Sequence, residues 1–187
     1  MSREQAIAEV FAKLDREVWL LTAQAGVKRG GLIATLVCQA SIVPQHPRVW
    51  VCLAKQHFTR EVVEASQAFV LHLVGEDQAE LAWRFGTQSG HDVDKFADMA
   101  VSAGECGPRL PGMLATLDCR VETSVETGDR IQIFARVVGG DCERSGTLLT
   151  LRTFYERLSP DQRRELKARL VRDAAVDANL IERWQPW

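Results

Sequence analysis

Leu114-Ala115-Thr116-Leu117-Asp118-Cys119-Arg120-Val121-Glu122 alternates without a break, with Ala115, Leu117, Cys119 and Val121 on one side and Thr116, Asp118, Arg120 and Glu122 on the other. Side chains of an extended chain point to opposite faces in turn, so this period of two predicts a half-buried antiparallel strand over residues 114–125. Glu126-Thr127-Gly128-Asp129 supplies a turn and residues 131–138 a partner strand. Gly139-Gly140-Asp141 reads as the next turn and residues 147–153 as a last strand. Working back toward the N-terminus, residues 18–22, 31–38, 49–54 and 68–74 are short, apolar and rich in β-branched or aromatic residues, the composition of strands. Many short strands with helices interrupting rather than alternating regularly argue against a parallel doubly wound sheet. The expected fold class is mainly β, a closed antiparallel barrel with flanking helices.

Four segments depart from the period of two. Residues 3–14 place Ile7, Val10, Phe11 and Leu14 on one helical face, the stripe of a packing helix. Residues 57–66 carry a helical spacing through Phe58, Val62 and Ala65. Asp77-Gln78-Ala79-Glu80 announces a short helix with Asp77 as its cap, ending near Gly86. Ser159-Pro160-Asp161-Gln162 puts a capping serine, a proline at the first helical position and a glutamine at the third, so a long helix starts there. Its apolar stripe of Leu166, Leu170, Ala174, Leu180, Ile181 and Trp184 requires a cover, and contact across a subunit interface is one. Residues 87–111, rich in glycine and weakly periodic, form a loop long enough to be a functional flap. The expected organisation is a barrel domain with its N-terminal helix over residues 1–158 and a helical extension over 159–187. Trp184 and Trp187 read as packing groups.

Composition excludes several classes. With 46% hydrophobic and 26% charged residues the chain has too many apolar residues for disorder and too few for a membrane protein. A net charge of −2 without blocks of like charge gives no footprint for nucleic acid or an anionic membrane. The charged N-terminus lacks the apolar run of a signal peptide, and five cysteines without a Cys-x-x-Cys pair fit reduced thiols, so a cytoplasmic location is expected. Scattered histidines and cysteines do not offer zinc spacing, and Cys38 reads as a small core residue. No nucleophile elbow, phosphate loop, zincin motif or dinucleotide fingerprint occurs.

The stretch from Gly30-Gly31-Leu32-Ile33-Ala34-Thr35 through Leu36-Val37-Cys38-Gln39-Ala40-Ser41 to Ile42-Val43-Pro44 resembles the flavin-binding signature of the flavin reductase-like family, especially the reductase modules of diflavin flavoproteins. Val51-Cys52-Leu53-Ala54-Lys55, Thr59, Phe85, Asp94-Lys95-Phe96, Pro111-Gly112 and Gly128-Asp129 follow in the family's order. The resemblance implies an FMN-binding split barrel acting as a homodimer, with FMN (or FAD) as cofactor and NAD(P)H as reductant. Electrons would pass to free flavin or to a partner protein. By the family pattern Thr35, Leu36, Val37, Gln39, Ala40 and Ser41 hold the flavin ring, Lys55 and Thr59 its phosphate, and Phe85, Lys95 and Phe96 close over it, the last two in some arrangements from the neighbouring subunit. A flavin needs a flat slot, hydrogen-bond donors at its pyrimidine edge and a helix N-terminus or cation at its phosphate, and small residues over 31–41 would let backbone approach the ring. No side chain need act as acid or base, because the cofactor carries the redox chemistry.

One position departs from the family. Asp129 and Arg130 stand where many flavin reductases have Asp-His, the histidine contributing to the nicotinamide site. Arginine is permanently charged and pairs with phosphate or carboxylate, so Asp129 and Arg130 are candidate substrate-binding residues of altered chemistry. The same departure motivates an alternative, a non-catalytic flavin- or haem-binding module for storage, sensing or delivery.

Overall fold

The computed structural model describes residues 1–184. The elements are α1 (Arg3–Phe11), β1 (Trp19–Ala25), β2 (Lys28–Ala34), β3 (Val37–Gln39), β4 (Arg48–Ala54), α2 (Phe58–Ser66), β5 (Ala68–Leu73), α3 (Ala79–Thr87), β6 (Ser102–Ala103), β7 (Pro108–Arg109), β8 (Ala115–Thr127), β9 (Arg130–Cys142), α4 (Leu151–Arg157) and α5 (Pro160–Arg183). Seven strands form one antiparallel sheet in the order β2-β1-β5-β8-β9-β4-β3. The two edge strands, β2 and β3, are neighbours in sequence, joined only by Thr35 and Leu36. Three chain steps span no more than about 11 Å. The two edges of the sheet are therefore tied together, and the sheet has to curl into a barrel with a seam at Thr35-Leu36. On the β3 side of that seam Leu36 extends the pairing with β4, its carbonyl accepting from the Cys52 amide at 3.0 Å.

The barrel interior holds Leu21, Leu32, Val51, Leu53, Phe69, Leu71, Ile131 and Ile133, with Val62 and Val63 of α2 plugging one end. A second apolar cluster lies outside, where Phe85 of α3, Phe96, Leu110 and Met113 of the long loop, and Leu149 pack on Val18 and Leu20. The expected strand and turn form, β8 and β9 making a long hairpin whose turn carries Gly128 at φ +76°. The faces differ from the alternation: Thr116 and Asp118 are buried, because the hairpin register shifts at Asp118/Cys119 and again at Val121/Thr123.

Five further expectations are corrected. The apolar run over 31–38 is two strands rather than one, broken at the seam. Gly139-Gly140-Asp141 is not a turn: β9 continues to Cys142, and a Cβ at Gly140 would lie 2.8 Å from the Thr116 carbonyl, so glycine there permits the close crossing of a bulged hairpin. Residues 147–153 are not a strand, because Thr150 caps α4 by accepting from the Thr153 amide, leaving only isolated bridges at Leu148 and Thr150. Asp77 does not cap α3; a 3-10 turn over Glu76–Gln78 precedes that helix and Asp77 pairs with Arg144 at 2.7 Å. Cys38 is exposed on edge strand β3 rather than in the core. The packing helix α1 forms with its Ser2–Gln5 capping box but buries no residue within the chain. The long C-terminal helix starts as read, with Ser159 and Gln162 in a capping box. Trp187, with the last residues of the expected extension, lies outside the described residues.

His72 of β5 is fully buried, with Nδ1 3.0 Å from the Leu20 carbonyl and Nε2 3.1 Å from the Leu110 amide. Nε2 accepts from that amide, so Nδ1 carries the proton and the ring is neutral. Burial is the main cause pushing its pKa down to about 4. The unfolded chain then takes up a proton near pH 6.5 that the folded chain refuses until about pH 4, so stability present above pH 6.5 is lost between these values, by roughly 3 kcal/mol. His72→Gln, which supplies one donor and one acceptor without titrating, is expected to flatten urea midpoints between pH 7 and pH 4.5. An equally steep pH dependence in both proteins would contradict this assignment.

Candidate functional site

The seam positions the site. An edge strand presents backbone groups that its own sheet does not pair, and β2 ends there beside the first turn of α2. A cavity of about 630 Å³ opens at this corner, lined by Leu32, Ile33 and Thr35 of the seam, Gln56 to Thr59 at the start of α2, Phe85 of α3, Lys95 of the long loop, and residues of α4 and α5. A smaller one of about 360 Å³ continues along the seam past Leu36, Cys52, Ala54, Gln56 and His57 to Arg130. The larger volume is that of a small-molecule site.

Arg169, Arg172 and Asp173 of α5 put charge on the outer wall of the larger cavity, and Lys95 puts a buried one on its inner side. The Nζ of Lys95 donates to the carbonyls of Gly31 and Phe85, each at 2.9 Å. Among the described residues no carboxylate pairs with it, and burial alone pulls its pKa down to about 8. An ammonium has three N–H groups, so one remains for a ligand. The neighbouring Asp94 is turned outward to Arg29 at 2.9 Å. Helix α2 begins without a side-chain cap, leaving first-turn amides toward the same cavity. His57 Nδ1 and Gln56 Oε1 are buried without a partner, and burial lowers the His57 pKa. A buried ammonium lacking a counter-ion, free helix amides and orphaned polar atoms around one cavity are suited to an anionic, hydrogen-bonding ligand.

At the inner end, Arg130 is clamped. Its Nη2 meets Asp177 of α5 at 2.7 Å and its Nε meets Asp129 at 3.2 Å. Burial raises the Asp177 pKa, with Arg130 opposing.

Of the residues singled out in the sequence, Thr35, Leu36, Thr59, Phe85 and Lys95 line the cavities, and Arg130 stands at the smaller one. Lys95 and Phe96 reach this site within their own chain; Phe96 packs edge-on to Phe85 at 5.3 Å, behind the lining. The others lie elsewhere. Val37, Gln39, Ala40 and Ser41 follow the seam without lining either cavity, and the Gln39 amide and Ser41 hydroxyl serve their own loop. Lys55 pairs with Glu126 and is not among the lining residues. Asp129 lines neither cavity; its carboxylate braces Arg130 and its carbonyl accepts from the Lys55 amide. The glycines have a different use from the expected approach to a ring: a Cβ at Gly31 would lie 2.5 Å from the Phe85 ring, and one at Gly30 2.9 Å from Thr59 Cα. They let α3 and α2 close on β2. Gln56, His57 and the α5 residues escaped sequence reading, since a histidine before a helix and a stripe on a terminal helix carry no ligand pattern of their own.

An antiparallel barrel with a ligand groove at its seam defines the class. The profile of the flavin reductase like domain matches residues 11–159, and the chain belongs to that family. The reductase component of 4-nitrophenol 4-monooxygenase/4-nitrocatechol 2-monooxygenase from Rhodococcus opacus is 39% identical over 116 residues, 62% of this chain and 60% of that protein. Diflavin flavoprotein A 1 of Synechocystis sp. is 26% identical over 141 residues, 74% of this chain but 24% of that protein. The chain thus spans less than two thirds of either relative. A flavin reductase domain protein from Arthrobacter sp. superposes with a TM-score of 0.71 at 22% identity, covering 79% of this chain and 89% of that one, which shows the split-barrel fold. Among the described residues no helix is long and apolar enough to cross a membrane.

Proposed function

We propose that the chain is an FMN-dependent oxidoreductase of the flavin reductase type, using NAD(P)H as reductant and delivering electrons to free flavin or to a partner oxygenase. The observation that carries this reading is Lys95, a buried ammonium with no counter-ion, in a seam cavity of about 630 Å³ beside an uncapped helix start. Relatives named as a monooxygenase reductase component and as FMN reductase (NADH) support it. Bound FMN would supply the redox chemistry. The chain's own residues bind and shield: Thr35, Leu36 and the seam backbone face the ring, while Lys95, Thr59 and the α2 amides face the phosphate. Phe85 and Phe96 exclude water behind them. A homodimer is part of the proposal, supported by the exposed Ile7, Val10, Phe11 and Leu14 of the N-terminal segment, and a cytoplasmic setting fits the five free thiols.

The test is an anaerobic titration, in which FMN-loaded protein is expected to lose its visible flavin absorbance on adding NADH or NADPH. Protein that takes up no FMN overturns the proposal; protein that binds FMN yet is never reduced is the non-catalytic module instead.

The pH dependence of binding is a second check. An anionic phosphate favours the protonated Lys95, so FMN affinity is expected to hold below about pH 8 and to weaken above it, by up to about tenfold per unit. Riboflavin, without the phosphate, is expected to bind more weakly and to lack that slope. Parallel profiles for the two flavins, by fluorescence quenching, would remove Lys95 from the phosphate.

A further inference from the structure

The C-terminal helix is the shared outer wall of both cavities. Leu170 and Asp173 line both, Leu166 and Arg172 the larger, Ala174 and Asp177 the smaller. Yet α5 touches the body of the protein chiefly at its ends. At its start Arg163 donates to the carbonyls of Tyr155 and Glu156, at 3.1 and 2.9 Å. Toward its end Asp177 meets Arg130, and Trp184 lies over the β8–β9 turn, where a Cβ on Gly128 would be 3.2 Å from its own Cβ. Between these supports the helix bridges a void: Leu170 is 59% exposed although it faces the barrel. The one buried residue in α5 is Asp177, a carboxylate whose Oδ1 has no partner among the described residues. A helix fixed permanently would be held by buried leucines and valines. Between its contacts at Arg163 and Trp184, this one is held by one ion pair of half-buried Arg130 with buried Asp177, whose Oδ1 is left without a partner among the described residues, so no buried apolar side chain there opposes its opening.

We propose that α5 is a strap that retains the flavin in the seam groove, and that the Arg130–Asp177 ion pair is the latch holding it shut. The proposal rests on the reading of the groove as the flavin site. It also accounts for the arginine that replaces the family's histidine. With Nε on Asp129 and Nη2 on Asp177, Arg130 joins the barrel's hairpin turn to the helix. The strap sets whether flavin stays as a prosthetic group or exchanges as a diffusible substrate.

The experiment measures FMN dissociation by stopped-flow dilution for the wild type, Asp177→Asn, Arg130→Gln and the double variant, with hydrogen exchange of residues 160–183 alongside. Each single variant is expected to release FMN roughly fivefold faster, and the double variant no faster than either, because one latch is broken in all three. FMN is expected to slow exchange in α5 of the wild type and not of the variants. Thermal midpoints of the variants check that the barrel is intact. If the wild type takes up no FMN, the flavin reading falls and the strap with it. If FMN binds and Asp177→Asn releases it at the wild-type rate, the latch alone falls, whether or not Arg130→Gln is faster.

Discussion

Lys95→Met is expected to fold at least as well as the wild type and to bind FMN about 30- to 100-fold more weakly. Both halves follow from the same environment. The ammonium is buried without a carboxylate, and its pKa of about 8 against an ordinary 10.5 means that roughly 3 kcal/mol is spent holding its charge there. Methionine fills a similar volume and removes that cost, losing only two hydrogen bonds to carbonyls that face the cavity corner. What it cannot replace is the remaining N–H, a charge-assisted donor for a phosphate. Stability and affinity are therefore expected to move in opposite directions, a pattern that a merely structural lysine would not give. Thermal midpoint and FMN titration of the same preparation check it; lowered stability with unchanged affinity would show that the lysine serves the fold.

Gly31→Val is expected to cost about 3 kcal/mol of stability and to reshape the groove. The Cβ alone would sit 2.5 Å from the Phe85 ring and 3.1 Å from that of Phe96. Phe85 is buried on every side but the cavity it lines, so its ring can yield only into that cavity or by displacing α3, and either change reshapes the groove. The effect is expected to be non-additive: in a Phe85→Ala background the valine has room, and the double variant is expected to be more stable than the sum of the single losses allows. Urea denaturation of the four proteins measures this. Simple additivity would mean that the ring and the glycine do not constrain each other.

The sequence disclosed the barrel where one force acted alone. The strand over 114–125 and the helix start at Ser159 to Gln162 are found where local pattern puts them, although bulges in β8 bury Thr116 and Asp118 and leave residues 122–126 exposed, so the two faces are not the ones the alternation predicts. Errors fell where a local signal competed with a distant contact. Gly139 and Gly140 carry turn chemistry, yet they serve a close crossing with Thr116 and Asp118, residues some twenty positions away. Gly31 looked like room for a ligand and proves to be room for Phe85. The candidate site was half legible: Thr35, Thr59, Phe85 and Lys95 converge, whereas Lys55 is drawn off by Glu126, a partner visible only once β8 is placed beside it. The α5 wall was beyond reading, since an apolar stripe declares that it needs a cover without saying which one.

The most direct test of the central assignment is a crystal structure of the protein grown with FMN. The expected result is density for the ring against Ile33 to Leu36 at the seam, with the phosphate within hydrogen-bond distance of Lys95 or the first amides of α2. Flavin bound at any other place on the barrel, with the seam groove empty, would contradict it.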